Sequence, residues 1–150
     1  MTANDVRPER GSLQGWEPAP QCVVVSCFRE DFEFLRRLLG FSEIRFHRAE
    51  TIDEADFLLT VTGATVLISD IVFLDGCWED ALDMVLSVHP RASFVLAAEP
   101  VDYAAAGEAM RRGACAVLKK PWDFMEMIRT IRTVHEAVGE RILWEEAEAG

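Results

Sequence analysis

The sequence predicts an α/β domain in which five helices alternate with a five-stranded parallel sheet. Three observations predict it. Short apolar runs recur five times between residues 21 and 118, and such runs are consistent with strands buried on both faces. Each is followed by a stretch with apolar residues at helical spacing, bracketed by helix start and stop signals. The connections between them are short, as in units that alternate strand and crossover helix.

Taken in order, residues 1–20 hold three prolines and little periodicity, and read as a flexible tail with Trp16 as its only anchor. Cys22–Cys27 is the first strand. Asp31 is the expected N-cap of a helix over Phe32–Leu39, with Phe32, Leu35 and Leu39 facing inward, and Gly40 closes it. Ile44–Phe46 is a weaker second strand. Thr51-Ile-Asp-Glu54 has the form of a capping box, opening a helix that buries Ile52, Ala55, Leu58 and Leu59 and ends at Gly63. Thr65–Ser69 is the third strand. A third helix spans Trp78–Val88, burying Ala81, Leu82, Val85 and Leu86, and His89-Pro90 stops it. Ser93–Ala98 is the fourth strand, and the helix after it, Val101–Arg112, is weakened by Gly107 inside it. Ala114–Leu118 is the fifth strand. Asp123 caps a long last helix with Met127, Ile131, Val134 and Val138 on its apolar face, a pattern that persists to Ile142–Trp144. The domain is therefore expected over residues 21–145, with an acidic end at 146–150. Right-handed crossovers leave few topologies for this order. The flavodoxin-like (βα)5 three-layer sandwich, with strand order 2-1-3-4-5, is the commonest.

Composition excludes several function classes. With 150 residues, half of them hydrophobic, the chain can bury a sizeable core. Acidic residues outnumber basic ones by 26 to 15, a balance that opposes phosphate backbones and anionic membranes. No apolar run approaches the roughly 20 residues of a membrane span, and the N-terminus has no secretory apolar segment. Cys22, Cys27, Cys77 and Cys115 form no metal spacing with each other or with His47, His89 and His135. Three of the cysteines border strand-like runs and read as small core residues of a reduced, cytoplasmic protein. No glycine-rich phosphate loop follows the first strand, which counts against a nucleotide- or flavin-binding reading.

The stretch with chemistry in it is Val66–Gly76, VLISDIVFLDG. Its strand delivers one carboxylate, Asp70, at the carboxyl end, where sites form in open parallel sheets. Asp70 with Asp75-Gly76, the Lys120-Pro121 pair after the fifth strand, Gly113-Ala114 before it, TIDEA at Thr51–Ala55 and HPRASFVL at His89–Leu96 together give residues 21–138 a family likeness. They resemble the receiver domain of bacterial response regulators, the phosphorylated modules of two-component signalling.

The resemblance implies a phosphoryl-accepting aspartate after strand three, a lysine after strand five, two acidic residues after strand one that hold Mg²⁺, a hydroxyl after strand four and an aromatic switch residue in strand five. Here the aspartate falls on Asp70 and the lysine on Lys120. The acidic pair falls on Ser26 and Cys27, the hydroxyl on Ala97, the switch on Val117, and a usual proline on Leu74. Mg²⁺ needs hard oxygen ligands, and losing one preorganised electrostatic group costs about 10²–10³ in rate. The expectation is a degenerate receiver, a pseudo-receiver that is no enzyme, holds no metal or cofactor, and works by binding protein. Asp70 is then a structural partner of Lys120, with Arg29 as a second candidate to fill the vacated metal space.

Two alternatives stay open. A working receiver would be phosphorylated at Asp70 by a histidine kinase with Mg²⁺, and Glu30, Asp31 and Glu99 are candidates to rebuild its metal site. A small-molecule or redox sensor would use the pocket around Cys27, Asp70 and Ala97, with Cys77 at its rim. The resemblance places partner docking or homodimerisation on helix 4, strand 5 and helix 5, at Tyr103, Met110 and Arg111. Leu143 and Trp144 form a second apolar stripe. No nucleic-acid or membrane partner is expected, and no output domain after residue 145.

Overall fold

In the computed structural model of the chain, which describes residues 19–26, 29–38, 40 and 42–149, the five apolar runs become one parallel sheet. Its strands are β1 (Gln21–Val25), β2 (Arg45–Ala49), β3 (Val66–Ser69), β6 (Ser93–Ala98) and β7 (Ala116–Lys119). They lie in the order β2-β1-β3-β6-β7 and all neighbours are parallel. Counting the sheet's own strands, this is the expected 2-1-3-4-5. The two missing labels belong to a hairpin directly after Asp70, β4 (Val72–Phe73) and β5 (Gly76–Cys77), which the sequence reading did not foresee beyond its Asp75–Gly76 turn.

The helices are α1 (Arg29–Leu38), α2 (Ile52–Thr62), α3 (Trp78–Val88), α4 (Tyr103–Arg112) and α5 (Phe124–Ala149). Period-two alternation along the strands sorts them into two layers. Val23, Val25, Leu67, Phe94 and Leu96 point to one face, where they meet Ala55 and Leu59 of α2, Leu82 of α3 and Ala106 of α4. Val24, Ile68, Val95 and Leu118 point to the other, against Phe32 and Leu35 of α1 and Met127 and Ile131 of α5. Leu67 and Ile68, adjacent in β3, are each fully buried on opposite faces. Each such side chain stabilises the fold by about 1.5–3 kcal/mol. The centre of the sheet is thus buried on both faces, and Asp70 directly follows β3 there.

Several element ends differ from the sequence reading, each for a local reason. β2 runs to Ala49 because β1 pairs with it residue for residue from Gln21–Arg45 to Val25–Ala49, so backbone pairing carries His47 and Arg48 into an edge strand. β7 starts at Ala116. Ala114 is still occupied closing α4, its N–H donating to the Ala109 carbonyl. α1 begins at Arg29, so Asp31 lies in its first turn rather than at its cap, where a carboxylate still favours the helix dipole. Val101 sits in a 3-10 turn (Pro100–Asp102) before α4 and is exposed. Leu86 is 54% exposed, because the inner face of α3 is already filled by Trp78, Ala81, Leu82 and Val85. Its side chain stands over Gly113 instead, 3.4 Å from where a Cβ would be. Cys115 is exposed rather than core, at the start of the edge strand. Leu39, and with it the far end of the α1 apolar face, lies outside the described residues.

The signals that start α2 and α5 hold, the first with one refinement. Thr51 Oγ1 accepts the Glu54 N–H at 3.1 Å, but Glu54 reaches back to the N–H of Glu50, not Thr51. Gly63 closes α2 in the left-handed region, φ 68°, where a side chain is strained. Asp123 Oδ1 accepts the Glu126 N–H at the start of α5. That helix then runs on past the sheet to Ala149.

Candidate functional site

The site is built at the carboxyl edge of the sheet, between the ends of β3 and β7. Asp70 stays in the sheet's register one step beyond β3, its N–H donating to the Val25 carbonyl at 3.1 Å. Lys120 does the same one step beyond β7, donating its N–H to the Ala98 carbonyl at 3.0 Å, ahead of a cis Lys120–Pro121 bond. Backbone pairing at the two strand ends thereby aims two charged side chains at each other across β6. Lys120 Nζ donates to Asp70 Oδ1 at 2.6 Å, with the side chains only 14% and 8% exposed. This is a short, charge-assisted bond. The other oxygen, Asp70 Oδ2, is buried with no hydrogen-bond partner among the described residues. Trp122 lies under the ammonium, its ring centre 5.2 Å from Nζ, within cation–π range.

The remaining positions fall around this pair. Ser26, buried after β1, donates its N–H to the Ala49 carbonyl. Ala97, in β6, is buried and offers no side-chain donor. Val117 in β7 is half-buried and packs on the α2–α4 side of the sheet. Cys27 lies outside the described residues, as does the side chain of Asp31. Arg29 corrects an expectation: it is exposed on the first turn of α1, so it does not fill the space beside Asp70. Lys120 is the cation that bonds Asp70. Leu74 is exposed at the hairpin turn, and Asp75 next to it accepts the Ile52 N–H at 3.1 Å, tying the loop after Asp70 to the start of α2.

Two residues of the site went unnoticed in the sequence. Asp102, together with Asp70, Glu99, Ala97 and Lys120, lines a cleft of about 200 Å³ beside the ion pair. Trp122 lines a wider groove of about 810 Å³ with Glu30, Phe34, Arg37, Glu99 and Lys120. Trp122 had a signal, since it directly follows Lys120-Pro121. Asp102 had none, because only the 3-10 turn brings it to the cleft.

The chemistry of this set is restricted. The cleft is lined by three carboxylates and one ammonium, so its formal charge is negative. The residues do not fit a divalent cation. Ser26 places a hydroxyl, not a hard charged oxygen, after β1, and one Asp70 oxygen is committed to Lys120. Among the described residues no three His, Cys, Asp or Glu side chains are placed to hold a metal ion.

No family model and no curated protein matches the sequence. Solved structures do match the fold. The signal receiver domain of a putative LuxO repressor protein from Vibrio parahaemolyticus superposes with a TM-score of 0.75 at 17% identity, over 84% of this chain and 97% of that one. The signal receiver domain of an HD domain-containing protein from Pseudomonas fluorescens Pf-5 gives 0.75 at 21% identity, over 83% and 93%. A response regulator receiver domain protein from Clostridium thermocellum gives 0.73 at 18%, over 83% and 98%. The chain has the receiver-domain fold. No helix among the described residues is long and apolar enough to cross a membrane.

Proposed function

We propose that this protein is a receiver-like signalling module that acts by binding other proteins, without ordinary Mg²⁺-dependent phosphorylation of its aspartate, and that it is not an enzyme. The observation that carries the reading is the 2.6 Å bond between Lys120 and Asp70 in a buried setting. The carboxylate that would accept a phosphoryl group is neutralised by a fixed cation instead. Around it, the positions that would hold metal and stabilise the phosphoryl group carry Ser26, Cys27 and Ala97. Its partners are signalling proteins, a histidine kinase among them, met in the cytoplasm. The surface of α4, β7 and α5 is where docking is sought, with Tyr103 and Met110 both nearly half exposed.

The deciding measurement is intact mass after incubation with a small phosphodonor and Mg²⁺, with Asp70→Asn beside wild type. Unchanged mass in both is the expected result. A phosphoryl adduct on wild type alone would replace this reading with that of a working receiver. For the docking surface, Tyr103→Glu is expected to abolish capture of the partner while leaving the melting temperature unchanged. Undiminished capture would move docking elsewhere.

A further inference from the structure

At the end of the sheet opposite Asp70, the last turns of α5 overhang the bottom of the domain and help to enclose a second pocket. Its volume is about 470 Å³, and Leu59, Ala64, Val88, Pro90 and Ile142 line it, with Arg91 at the mouth. A hydrogen bond from Arg141 Nη2 to the Pro90 carbonyl, 2.8 Å, pins the overhang in place. The lining includes no carboxylate. Its basic groups are Arg91, which has no ion pair among the described residues, and His89, which Asp56 engages at 2.6 Å. Directly after Ile142 come Leu143 and Trp144, 67% and 70% exposed, set among Glu140, Glu145, Glu146 and Glu148. One helix thus carries the wall of a basic-rimmed apolar pocket and, two residues later, an exposed indole in an acidic segment. The helix turns Trp144 away from the pocket of its own chain.

We infer that the pocket receives Trp144 of a second copy of this chain, in a two-fold dimer built on crossed α5 overhangs. The complementarity supports a second copy as the occupant: an apolar plug with acidic neighbours meets an apolar socket with a basic rim. The geometry closes as a two-fold contact must, plug and socket being present on both partners. Ile142 and Trp144 lie about 3 Å apart along the helix axis. Successive residues turn by about 100° around the helix, so Trp144 faces away from its own chain's pocket and outward, towards a second copy. The crossing of the overhangs carries the glutamates of one copy towards Arg91 and Arg141 of the other. Each indole contributes about 150–250 Å² of contact, against about 800 Å² per partner in a standard stable interface. The dimer is therefore a reversible one. This surface lies on the last turns of α5, away from α4, β7 and Asp70, so its failure would leave the reading of Asp70 untouched.

The test is sedimentation velocity on the full chain between about 5 and 500 µM, a span suited to a micromolar equilibrium. Wild type is expected to shift from monomer to dimer across this range. Trp144→Ala and, from the socket side, Val88→Glu should each weaken association at least tenfold, as expected for a central aromatic contact and its pocket. Arg91→Glu should weaken it too and reduce its salt dependence. Tyr103→Glu should leave it intact. Circular dichroism of each variant checks the fold, and all four positions are on the surface. A monomer at every concentration overturns the inference. So does a dimer indifferent to both Trp144→Ala and Val88→Glu, or one dissolved by Tyr103→Glu alone.

Discussion

Asp70 and Lys120 are 50 residues apart and meet at 2.6 Å. Breaking a buried pair by removing one member leaves an uncompensated charge, at a cost of about 3–5 kcal/mol. Lys120→Met is expected to lose stability of that order in urea unfolding, and the double variant Asp70→Asn with Lys120→Met to recover most of it. A double variant as unstable as the single one would mean that the lysine acts through packing on Trp122. Cys22 gives a second prediction at this scale. Burial pushes its thiol far above the ordinary value of 9.0. The folded protein then keeps a proton that the unfolded chain releases above about pH 9, so Cys22 draws stability down as the medium becomes more alkaline. The contribution is whole below pH 9 and falls by up to about 1.4 kcal/mol per pH unit above it. Cys22→Ala should flatten that alkaline decline, and Cys22 should resist a thiol reagent that labels Cys115 at once. Both members of the Asp70–Lys120 pair were legible from the sequence, because strand ends in a parallel sheet fix where such residues point. The fate of Arg29 was not, since nothing in a one-dimensional spacing says which way a loop arginine turns.

Among the elements, the loop after β3 does more than connect. Gly76 sits where a Cβ would lie 2.8 Å from Asp80 Oδ2, the oxygen that accepts the Cys77 N–H at the start of α3. Gly76→Ala should displace that cap and cost about 1 kcal/mol, and in an Asp80→Ala background it should cost much less. Additive effects in urea unfolding would show that the glycine matters for another reason. Gly107 is the opposite case. It lies exposed inside α4, and a Cβ there meets nothing closer than Arg111 Nη1 at 3.8 Å. Gly107→Ala is expected to stabilise the protein by about 0.5–1 kcal/mol, read as a higher urea midpoint. A lower midpoint would mean that α4 needs its glycine for close approach. Elements with strong periodicity and caps, such as α2 and α3, were readable within a residue or so, as was the start of α5; its end was not, because the acidic residues 145–148 read as a tail and instead continue the helix to Ala149. The ends of β2 and β7 were not readable either. Strand pairing, rather than the polarity of His47, decides where β2 stops, and the closing bond of α4 at Ala114 decides where β7 starts. The β4–β5 hairpin was hidden because two-residue strands leave no pattern.

For the molecule as a whole, the sheet order was legible because five short apolar runs with crossover helices admit few arrangements. That the sheet is covered on both faces was legible from the unbroken apolar runs of β1 and β3. What sequence alone left open was the balance of the two ends of the sheet. One end holds the Asp70–Lys120 pair and its acidic cleft. The other holds an apolar pocket beneath the last turns of α5. Arg112 joins the helices between them, its guanidinium reaching Glu79 and Asp83 while lying over Trp78, 5.5 Å from the ring centre. The length of α5 has a mechanical consequence. Val138 is its last fully buried residue, and the 11 residues from there to Ala149 project about 16 Å. Held at its base and tied once more by Arg141 to the Pro90 carbonyl, such an arm acts as a lever when that bond gives. A tilt of about 10 degrees at Val138 sweeps the tip through about 3 Å, so displacements too slight to disturb the sheet are magnified at the far end of the molecule.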